Sequence, residues 1–327
     1  MDNIIIIITF LALFGTLILL KIMIWRLIPF FYQFLIMTPK DLTKRYGKGS
    51  WVLITGASSG MGRRFAIEFA KRGFNLILIG SQRTLKIVEL LDKSFKNIEV
   101  KFIEKDFSKS YEDDFFDEIE DFIKDKNLSI VVNNVGYRIG WEEYENKPFE
   151  EIKKTVAVGT LPQCRLIQLG LKKFIKRNNK NQNSCIINIT AQCCLNTDLF
   201  STNNSITIPH LSCYEGTNAF GYFHAKSIYE EIRNKYDFID FLNITPGAVK
   251  TQYTKKSLEN VLFSIDEEPY VNGILALMGN LNGNRNAYWG HEFSILFGQL
   301  IPEFYLKNIF KQVGLNITKD YRKRNKL

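Results

Sequence analysis

Two kinds of apolar segment alternate along the middle of the chain from residue 51 onward. Short β-branched runs predict strands, and longer stretches with apolar residues at helical spacing predict the helices between them. The predicted strands are residues 51–55, 75–80, 100–104, 129–133, 185–190 and 241–245. The predicted helices are residues 63–72, 111–124, 150–176 and 214–235. This alternation is typical of βαβ units, so we expect an α/β fold with a single doubly wound parallel sheet.

The N-terminal segment has a different pattern. Residues 3–20 carry no charge, and the apolar pattern resumes after Lys21 as far as residue 25, which is long enough to span a hydrocarbon core of about 30 Å. The chain starts Met-Asp-Asn and no small-residue cleavage site follows, which argues against a cleaved signal peptide. A second apolar patch, residues 27–37, contains Pro29 and is predicted to be too short and broken for another span. We therefore expect one transmembrane anchor, residues 3–25.

The basic residues that follow this anchor predict its orientation. Under the positive-inside rule they place the bulk of the chain in the cytosol. They are Lys21, Arg26, Lys40, Lys44, Arg45 and Lys48. Near the other end, residues 293–310 are apolar, and two interpretations stay open: a core or dimer helix, or an amphipathic segment on the bilayer. We divide the chain into an anchor and linker (1–47), a nucleotide-binding domain (48–285), and an apolar segment with a basic tail (286–327).

Composition and charge exclude several classes of protein and of binding partner. The chain is 46% hydrophobic and 24% charged, which excludes a disordered or polytopic membrane protein. Its net charge of +9 suits an anionic partner, but no zinc-ligand spacing, basic helix or aromatic RNA-binding signature is present. We therefore expect no nucleic-acid partner and no metal site. The five cysteines include no Cys-x-x-Cys pair, which indicates reduced thiols.

A glycine-rich loop joins the first predicted strand to the first predicted helix. It reads Thr55-Gly56-Ala57-Ser58-Ser59-Gly60-Met61-Gly62. Glycines let the backbone approach a pyrophosphate, and the start of the following helix offers free N–H groups and a positive dipole end. The strand–loop–helix context therefore predicts a Rossmann-like dinucleotide site. Its candidate residues are Gly56, Ser58, Ser59, Gly60, Met61 and Gly62.

The residues after the second strand indicate which dinucleotide binds. NAD-binding sites place an Asp or Glu there for the ribose 2′-hydroxyl. This chain reads Gly80-Ser81-Gln82-Arg83, with no carboxylate, and Arg63 lies in the loop helix. Arginines near an unblocked site favour a 2′-phosphate, so we predict NADP(H) as the cofactor, with Arg83 as a candidate ligand.

An ordered set of motifs across residues 48–255 resembles the short-chain dehydrogenase/reductases. The set comprises the glycine loop, Asn133-Asn134-Val135-Gly136, a tyrosine on a long helix, and Pro246-Gly247-Ala248-Val249-Lys250-Thr251. The anchor, residues 71–75 and the basic tail make the chain most similar to the membrane-bound 3-oxoacyl-CoA reductases and 17β-hydroxysteroid dehydrogenases. The resemblance implies an endoplasmic-reticulum protein that reduces the 3-keto group in fatty-acid elongation, or a steroid ketone. It also implies a possible homodimer through the two long helices.

The resemblance assigns further cofactor contacts. Asp106, after the third strand, would approach the adenine ring. Asn133 and Gly136 would line the adenosine side. Val249 and Thr251 would hold the nicotinamide amide.

The family's four catalytic side chains are only partly present. In the family, a Tyr protonates the carbonyl oxygen, a Lys four residues later lowers the Tyr pKa, a Ser polarises the carbonyl, and an Asn keeps a relay water. Tyr214 matches the Tyr position, and Asn218 stands at the Lys position. The Ser position is Ala191, with Thr190 beside it, and the Asn position is Gly159. Our candidate catalytic residues are therefore Tyr214, Thr190 and Asn218.

A second Tyr-x-x-x-Lys pair, Tyr222 and Lys226, lies eight residues further along the same helix. Its use would slide the helix by about 12 Å, so we interpret it as a surface pair. Arg138 and Arg165 are alternative sources of the missing positive charge.

Two functions follow from these residues. The first is an NADPH-dependent reductase of 3-oxoacyl-CoA or a similar apolar ketone, supported by the glycine loop, Tyr214 and the anchor. The second is a catalytically weakened relative that binds NADP(H) and acts as a structural or regulatory partner in lipid synthesis, supported by Gly159, Ala191 and Asn218.

Overall fold

The computed structural model describes residues 2–137, 143–177, 182–192, 208–252, 254, 258, 259, 261–298, 305, 308, 311 and 312. The chain forms two compact units, residues 1–39 and 40–327. Part of the C-terminal apolar segment and all of the basic tail, together with Arg138, Cys193 and Cys194, lie outside the described residues.

The second unit is built on a seven-stranded sheet in the order β3-β2-β1-β4-β5-β6-β9, with every neighbouring pair parallel. A separate pair, β7 and β8, is also parallel. The strands are β1 Trp51–Thr55, β2 Asn75–Gly80, β3 Val100–Glu104, β4 Leu128–Asn133, β5 Ser184–Ile189, β6 Ile239–Ile244, β7 Val249–Lys250, β8 Ile265–Asp266 and β9 Gly283–Arg285. The predicted doubly wound parallel sheet is confirmed.

The helices of the first unit are α1 Asp2–Ile22 and α2 Ile28–Phe31. The helices of the second unit are α3 Leu42–Tyr46, α4 Gly60–Lys71, α5 Leu85–Ser94, α6 Asp117–Lys124, α7 Phe149–Arg177, α8 Ser212–Ile232, α9 Glu267–Leu277 and α10 Trp289–Gly298. The central strands β1, β4 and β6 are buried at every residue, because helices pack on both faces of a parallel sheet.

Several elements differ from the sequence prediction. Helix α6 begins at Asp117 rather than at residue 111, because residues 111–116 form turns and a bend. Helix α5 and strand β9 were not predicted. Strand β9 contains no apolar residue and joins the sheet only through its pairing with β6.

Among the residues that the structure describes, one helix is long and apolar enough to cross a membrane. It runs through Asn3–Ile36, its most apolar 18-residue window has a mean hydropathy of 2.7, and no residue of that window is buried. As predicted, residues 27–37 form no separate second span, but they continue the first helix rather than follow it. Pro29 lies in the first turn of α2, where its missing N–H costs little, and π-helical turns flank α2 at Met23–Leu27 and Tyr32–Ile36.

Candidate functional site

A pocket of about 130 Å³ opens at the carboxyl ends of β4 and β5, beside the start of α4 and between α7 and α8. Strand order reverses between β1 and β4, and doubly wound sheets bind ligands at that position. Six of the predicted site residues line the pocket: Met61, Asn133, Gly136, Thr190, Tyr214 and Asn218. The other lining residues are Asn134, Val135, Tyr137, Val158, Gly159, Gln163, Asn188, Ile189 and Thr217.

The other nine predicted residues do not line this pocket and lie in or beside the segments that follow four strands. Arg83 is exposed in the turn after β2. Asp106 is exposed after β3, and its Oδ1 accepts the N–H of Ser108 at 3.0 Å. The remaining seven follow β1 or belong to the β7 segment: Gly56, Ser58, Ser59, Gly60, Gly62, Val249 and Thr251.

The glycine loop has the conformation and the close packing that its sequence predicts. Gly56 and Gly60 have φ angles of +69° and +55°, which side chains other than glycine rarely adopt. A Cβ at Gly62 would lie 2.3 Å from the carbonyl oxygen of Gly56, so α4 can approach β1 this closely only with glycine there. Helix α4 starts at Gly60, and its first turn carries N–H groups that have no partner within the helix.

This loop fits the pyrophosphate of a dinucleotide. An anion at the start of α4 would meet backbone N–H groups and the positive end of the helix dipole. Gly136, at the end of the β4 segment, has no atom within 4 Å of the place that a Cβ would take, which leaves room for a ligand beside the loop.

Two residues that were not predicted as site residues hold the glycine loop in place. The Nδ2 of Asn134 donates to the carbonyl oxygens of Thr55 and Gly56, at 3.0 and 3.4 Å. The Thr55 Oγ1 accepts the N–H groups of Asn134 and Val135, both at 3.0 Å. The Asn-Asn pair at the end of β4 is the sequence signal that could have identified this role.

The charged groups near the loop are paired. Arg63, which was predicted to lie near the cofactor, forms an ion pair with Glu267 of α9 at 2.8 Å. The neighbouring Arg64 pairs with Glu68 at 3.0 Å and with Glu268. The positive charge of Arg63 is therefore partly neutralised by a carboxylate.

Tyr214 and Asn218 lie one turn apart on α8 and both line the pocket. The Asn218 Nδ2 donates to the Tyr214 carbonyl oxygen at 2.8 Å, and the Thr217 hydroxyl donates to the same oxygen at 2.9 Å. The Thr190 hydroxyl donates to the Ile244 carbonyl oxygen at 3.1 Å. Its single proton is used in that bond, which leaves Thr190 able to accept a hydrogen bond rather than to donate one to a substrate.

Close helix packing explains the glycine at residue 159, where the family has an asparagine. A Cβ at Gly159 would lie 2.6 Å from the Cβ of Thr217, because α7 and α8 cross closely there. A second close crossing pairs Gly221 with Gln163, whose Oε1 would lie 2.5 Å from a Cβ. Any side chain at residue 159 would therefore push α7 and α8 apart.

None of the residues that line the pocket is a lysine, arginine or histidine. Lys226 is exposed, and neither it nor Tyr222 lines the pocket. Arg165 pairs with Glu120 at 2.6 Å. Within the described residues, the pocket thus has no positive side chain to stabilise a phenolate at Tyr214.

Burial raises the pKa of Glu215, the residue after Tyr214, to about 7. The Glu215 side chain is buried at the start of α8, and its Oε1 accepts the N–H of Ile208 at 2.8 Å. This hydrogen bond ties the chain that enters α8 to the turn bearing Tyr214.

The contribution of Glu215 to stability is expected to fall with rising pH. The folded state keeps this proton up to about pH 7, whereas the unfolded state loses it near pH 4.5. The contribution of this residue to the free energy of unfolding therefore falls between pH 4.5 and 7, by an amount on the order of 3 kcal/mol, and levels off above pH 7. We expect Glu215→Gln to remove this contribution and to make the protein more stable than wild type at pH 8.

The measurement is thermal unfolding of the detergent-solubilised chain at pH 5 and pH 8. Glu230→Gln, at an exposed position of the same helix, is the matched control and should follow the wild type. An unchanged pH dependence in Glu215→Gln would show that this carboxyl is ionised in the folded protein at pH 5.

His291 was not predicted as a site residue, and it supports the segment expected to hold the nicotinamide. The Gly247 N–H donates to its Nδ1 at 3.2 Å. Burial lowers the pKa of His291 to about 4, so the ring is neutral at pH 7. Gln192 Nε2 donates to Ser294 Oγ at 2.9 Å and ties α10 to the end of β5. Because His291 is 44 residues from Gly247, no spacing in the sequence could reveal this contact.

A sequence profile of the short chain dehydrogenase family matches residues 50–261, and the chain belongs to this family. The predicted family is therefore confirmed, including the similarity to its 3-oxoacyl-CoA reductase branch.

Two relatives and one solved structure show the range of similar proteins. The very-long-chain 3-oxoacyl-CoA reductase of Mus musculus is 27% identical over 282 residues, which are 85% of this chain and 84% of that protein. The inactive hydroxysteroid dehydrogenase-like protein 1 of Pongo abelii is 27% identical over 274 residues, 81% and 75% of the two chains. A short-chain dehydrogenase from Sphingobium yanoikuyae in complex with NADPH has a TM-score of 0.59 at 20% identity, covering 72% of this chain and 87% of that one.

Proposed function

We propose that the protein is a membrane-anchored, NADPH-dependent reductase that converts a ketone to an alcohol. Its substrate would be a 3-oxoacyl-CoA in fatty-acid elongation or a steroid ketone. The observation that carries this proposal is the shared pocket, where Tyr214 of α8 lies together with Met61 of the glycine loop and Asn133 of β4.

The cofactor assignment rests on the glycine loop and on the residues after β2. The loop presents the start of α4 to a pyrophosphate, and no carboxylate occupies Gly80 to Arg83 to repel a 2′-phosphate. A solved relative in this family is a complex with NADPH. When bound, NADPH supplies the hydride, while this chain supplies orientation and a proton.

Tyr214 would give its hydroxyl proton to the carbonyl oxygen of the substrate. Asn218 keeps the turn of α8 ordered through its bond to the Tyr214 carbonyl oxygen but brings no charge. A phenol near its usual pKa of about 10 can still donate a proton at pH 7. Because no described residue of the pocket lining carries a positive charge, we expect slow turnover.

The substrate class and the location rest on three observations. The net charge of +9 suits the phosphates of coenzyme A. The mouse relative is named a very-long-chain 3-oxoacyl-CoA reductase. The apolar helix of residues 3–36 supports anchoring in a membrane, which we propose to be the endoplasmic reticulum with the second unit in the cytosol.

Exposed apolar side chains on the long helices support a homodimer. Val156 and Leu161 of α7 are 44% and 38% exposed, and Phe220 and Phe223 of α8 are 44% and 63% exposed. A second copy of the chain that packed through α7 and α8 would cover them.

A specific observation favours the alternative of a catalytically weakened relative. None of the described residues that line the pocket is positively charged, and Gly159 and Ala191 replace two of the family's catalytic residues. A relative with similar coverage is named inactive. Under this alternative the protein binds NADP(H) and acts as a structural or regulatory partner in lipid synthesis.

Asn218→Lys separates the two functions. A lysine here would place its charge one helical turn from Tyr214, and we expect kcat to rise about 10- to 100-fold. The measurement is NADPH oxidation by the detergent-solubilised full-length chain with a long-chain 3-oxoacyl-CoA.

Asn218→Met is the matched control, because it fills similar space without charge and should not raise kcat. If neither wild type nor Asn218→Lys turns over while both bind NADPH, the alternative function is supported instead.

A further inference from the structure

Four asparagines form a ladder across the sheet. Strand register pairs Asn133 of β4 with Asn188 of β5, Asn188 with Asn243 of β6, and Asn243 with Asn284 of β9. Residues paired in register on neighbouring parallel strands have side chains on the same face. The ladder therefore runs from the pocket, which Asn133 and Asn188 line, to the far edge of the sheet.

Hydrogen bonds run in one direction along three of the four side chains. Asn188 Nδ2 donates to Asn243 Oδ1 at 3.0 Å, and Asn243 Nδ2 donates to Asn284 Oδ1 at 2.7 Å. Asn188 Nδ2 also donates to Gln163 Oε1 on α7 at 3.2 Å. Both protons of the Asn188 amide are thus used, which fixes its orientation.

The ladder is incomplete at the pocket. Asn133 is 5% exposed and Asn188 is fully buried. The Asn133 Nδ2, the Asn133 Oδ1 and the Asn188 Oδ1 make no hydrogen bond with any residue that the structure describes. A buried polar atom without a partner costs about 1–3 kcal/mol, so three such atoms beside one pocket indicate a ligand that both donates and accepts.

A single water has this chemistry. It can accept from the Asn133 amide and donate one proton to the Asn188 oxygen, and its second proton stays available for an acceptor in the pocket, which gives the three hydrogen bonds typical of a buried water. Gly159, where the family's asparagine would keep a relay water, lines the same pocket and has no side chain. Its carbonyl oxygen already accepts from Gln163 Nε2 at 2.5 Å.

We propose that Asn133 and Asn188 hold one ordered water, and that this water replaces the relay water of the family's helix asparagine. The proposal rests on the proposed reductase function. In the reduction, the Tyr214 O–H bond breaks and its proton goes to the substrate carbonyl oxygen. The water then gives a proton to the Tyr214 oxygen and takes one from solvent. Asn133 and Asn188 are positioning residues in this scheme.

The water site itself is tested without any turnover. A crystal structure of the full-length chain with NADP⁺, at a resolution that shows waters, should place one water 2.6–3.2 Å from Asn133 Nδ2 and Asn188 Oδ1. A direct hydrogen bond between these two atoms, or a cofactor atom at the position of the water, would overturn the proposal.

The relay is tested by Asn133→Leu, with Asn284→Leu as the matched control at the far end of the ladder. We expect Asn133→Leu to lower kcat, measured at saturating NADPH, at least tenfold. In wild type, a relay that moves several protons together should make kcat fall along a curve as the fraction of D₂O rises. Asn133→Leu should make this dependence linear, because fewer protons would move together. Asn284→Leu should change neither.

The outcomes distinguish the claim of a bound water from the claim of a proton relay. Equal kcat and equal D₂O dependence in Asn133→Leu and wild type would overturn the relay even if the water is present. A chain that shows the water but no turnover would overturn the proposed function and retain the water site.

Discussion

Gly62→Ala is expected to abolish NADPH binding. The added Cβ would lie 2.3 Å from the Gly56 carbonyl oxygen and 2.6 Å from Asn134 Nδ2, and backbone atoms cannot yield that far. The start of α4 would have to move away from β1, which breaks the Asn134 bonds and displaces the N–H groups of the phosphate site. We expect the Kd for NADPH to rise at least 100-fold, equivalent to about 2.7 kcal/mol.

The measurement is NADPH fluorescence titration of the detergent-solubilised full-length chain. Gly216→Ala is the matched control: it makes the same substitution on α8 at an exposed position with no atom within 4 Å of the new Cβ. It should bind NADPH like wild type and be slightly more stable, because alanine favours a helix over glycine. A Gly62→Ala variant with wild-type affinity would show that the glycine loop does not hold the phosphates.

The strands of the sheet were predictable where a short apolar run lies between turn residues. The bounds of β1 and β2, which are almost wholly buried, agree residue for residue with the prediction. The bounds of β3 also agree, although only one of its five residues is buried. Strand β9 could not be predicted, because Gly283, Asn284 and Arg285 owe their strand conformation to pairing with β6 alone. A contact between distant segments determines such a strand, and local pattern does not report it.

Part of the candidate site was likewise predictable from the sequence, and part of it was not. The motifs identified the glycine loop, Asn133 and Tyr214, which the structure brings to one end of the sheet. The sequence showed that Gly159 departs from the family pattern, but its contact with Thr217 required the crossing of α7 and α8. The asparagine ladder depends on the register of four strands that lie far apart in sequence, so no spacing indicates it.

The structure also changes the interpretation of the N-terminal helix. The patch that contains Pro29 was expected not to form a second span, and the first helix continues through it to Ile36. At 1.5 Å per residue its 34 residues extend about 50 Å, longer than the hydrocarbon core of about 30 Å. A proline in a first turn, followed by a π-helical turn, is a local arrangement that apolar periodicity does not report.

Tyr214→Phe is expected to have the largest effect on catalysis. The change removes only the phenolic oxygen, so the pocket, the glycine loop and the helix contacts of Asn218 and Thr217 stay as they are. In the proposed reaction this oxygen is the proton donor to the ketone. Loss of a positioned acid lowers the rate by about 10²–10⁴.

The most direct test of the proposed reductase is NADPH oxidation by the detergent-solubilised full-length chain with a long-chain 3-oxoacyl-CoA, beside its Tyr214→Phe variant. We predict slow, measurable turnover in wild type, and in the variant a kcat at least 100-fold lower with NADPH affinity within twofold. Equal turnover in the two proteins, or NADPH binding without turnover in wild type, would contradict the assignment of Tyr214 as the proton donor of a reductase.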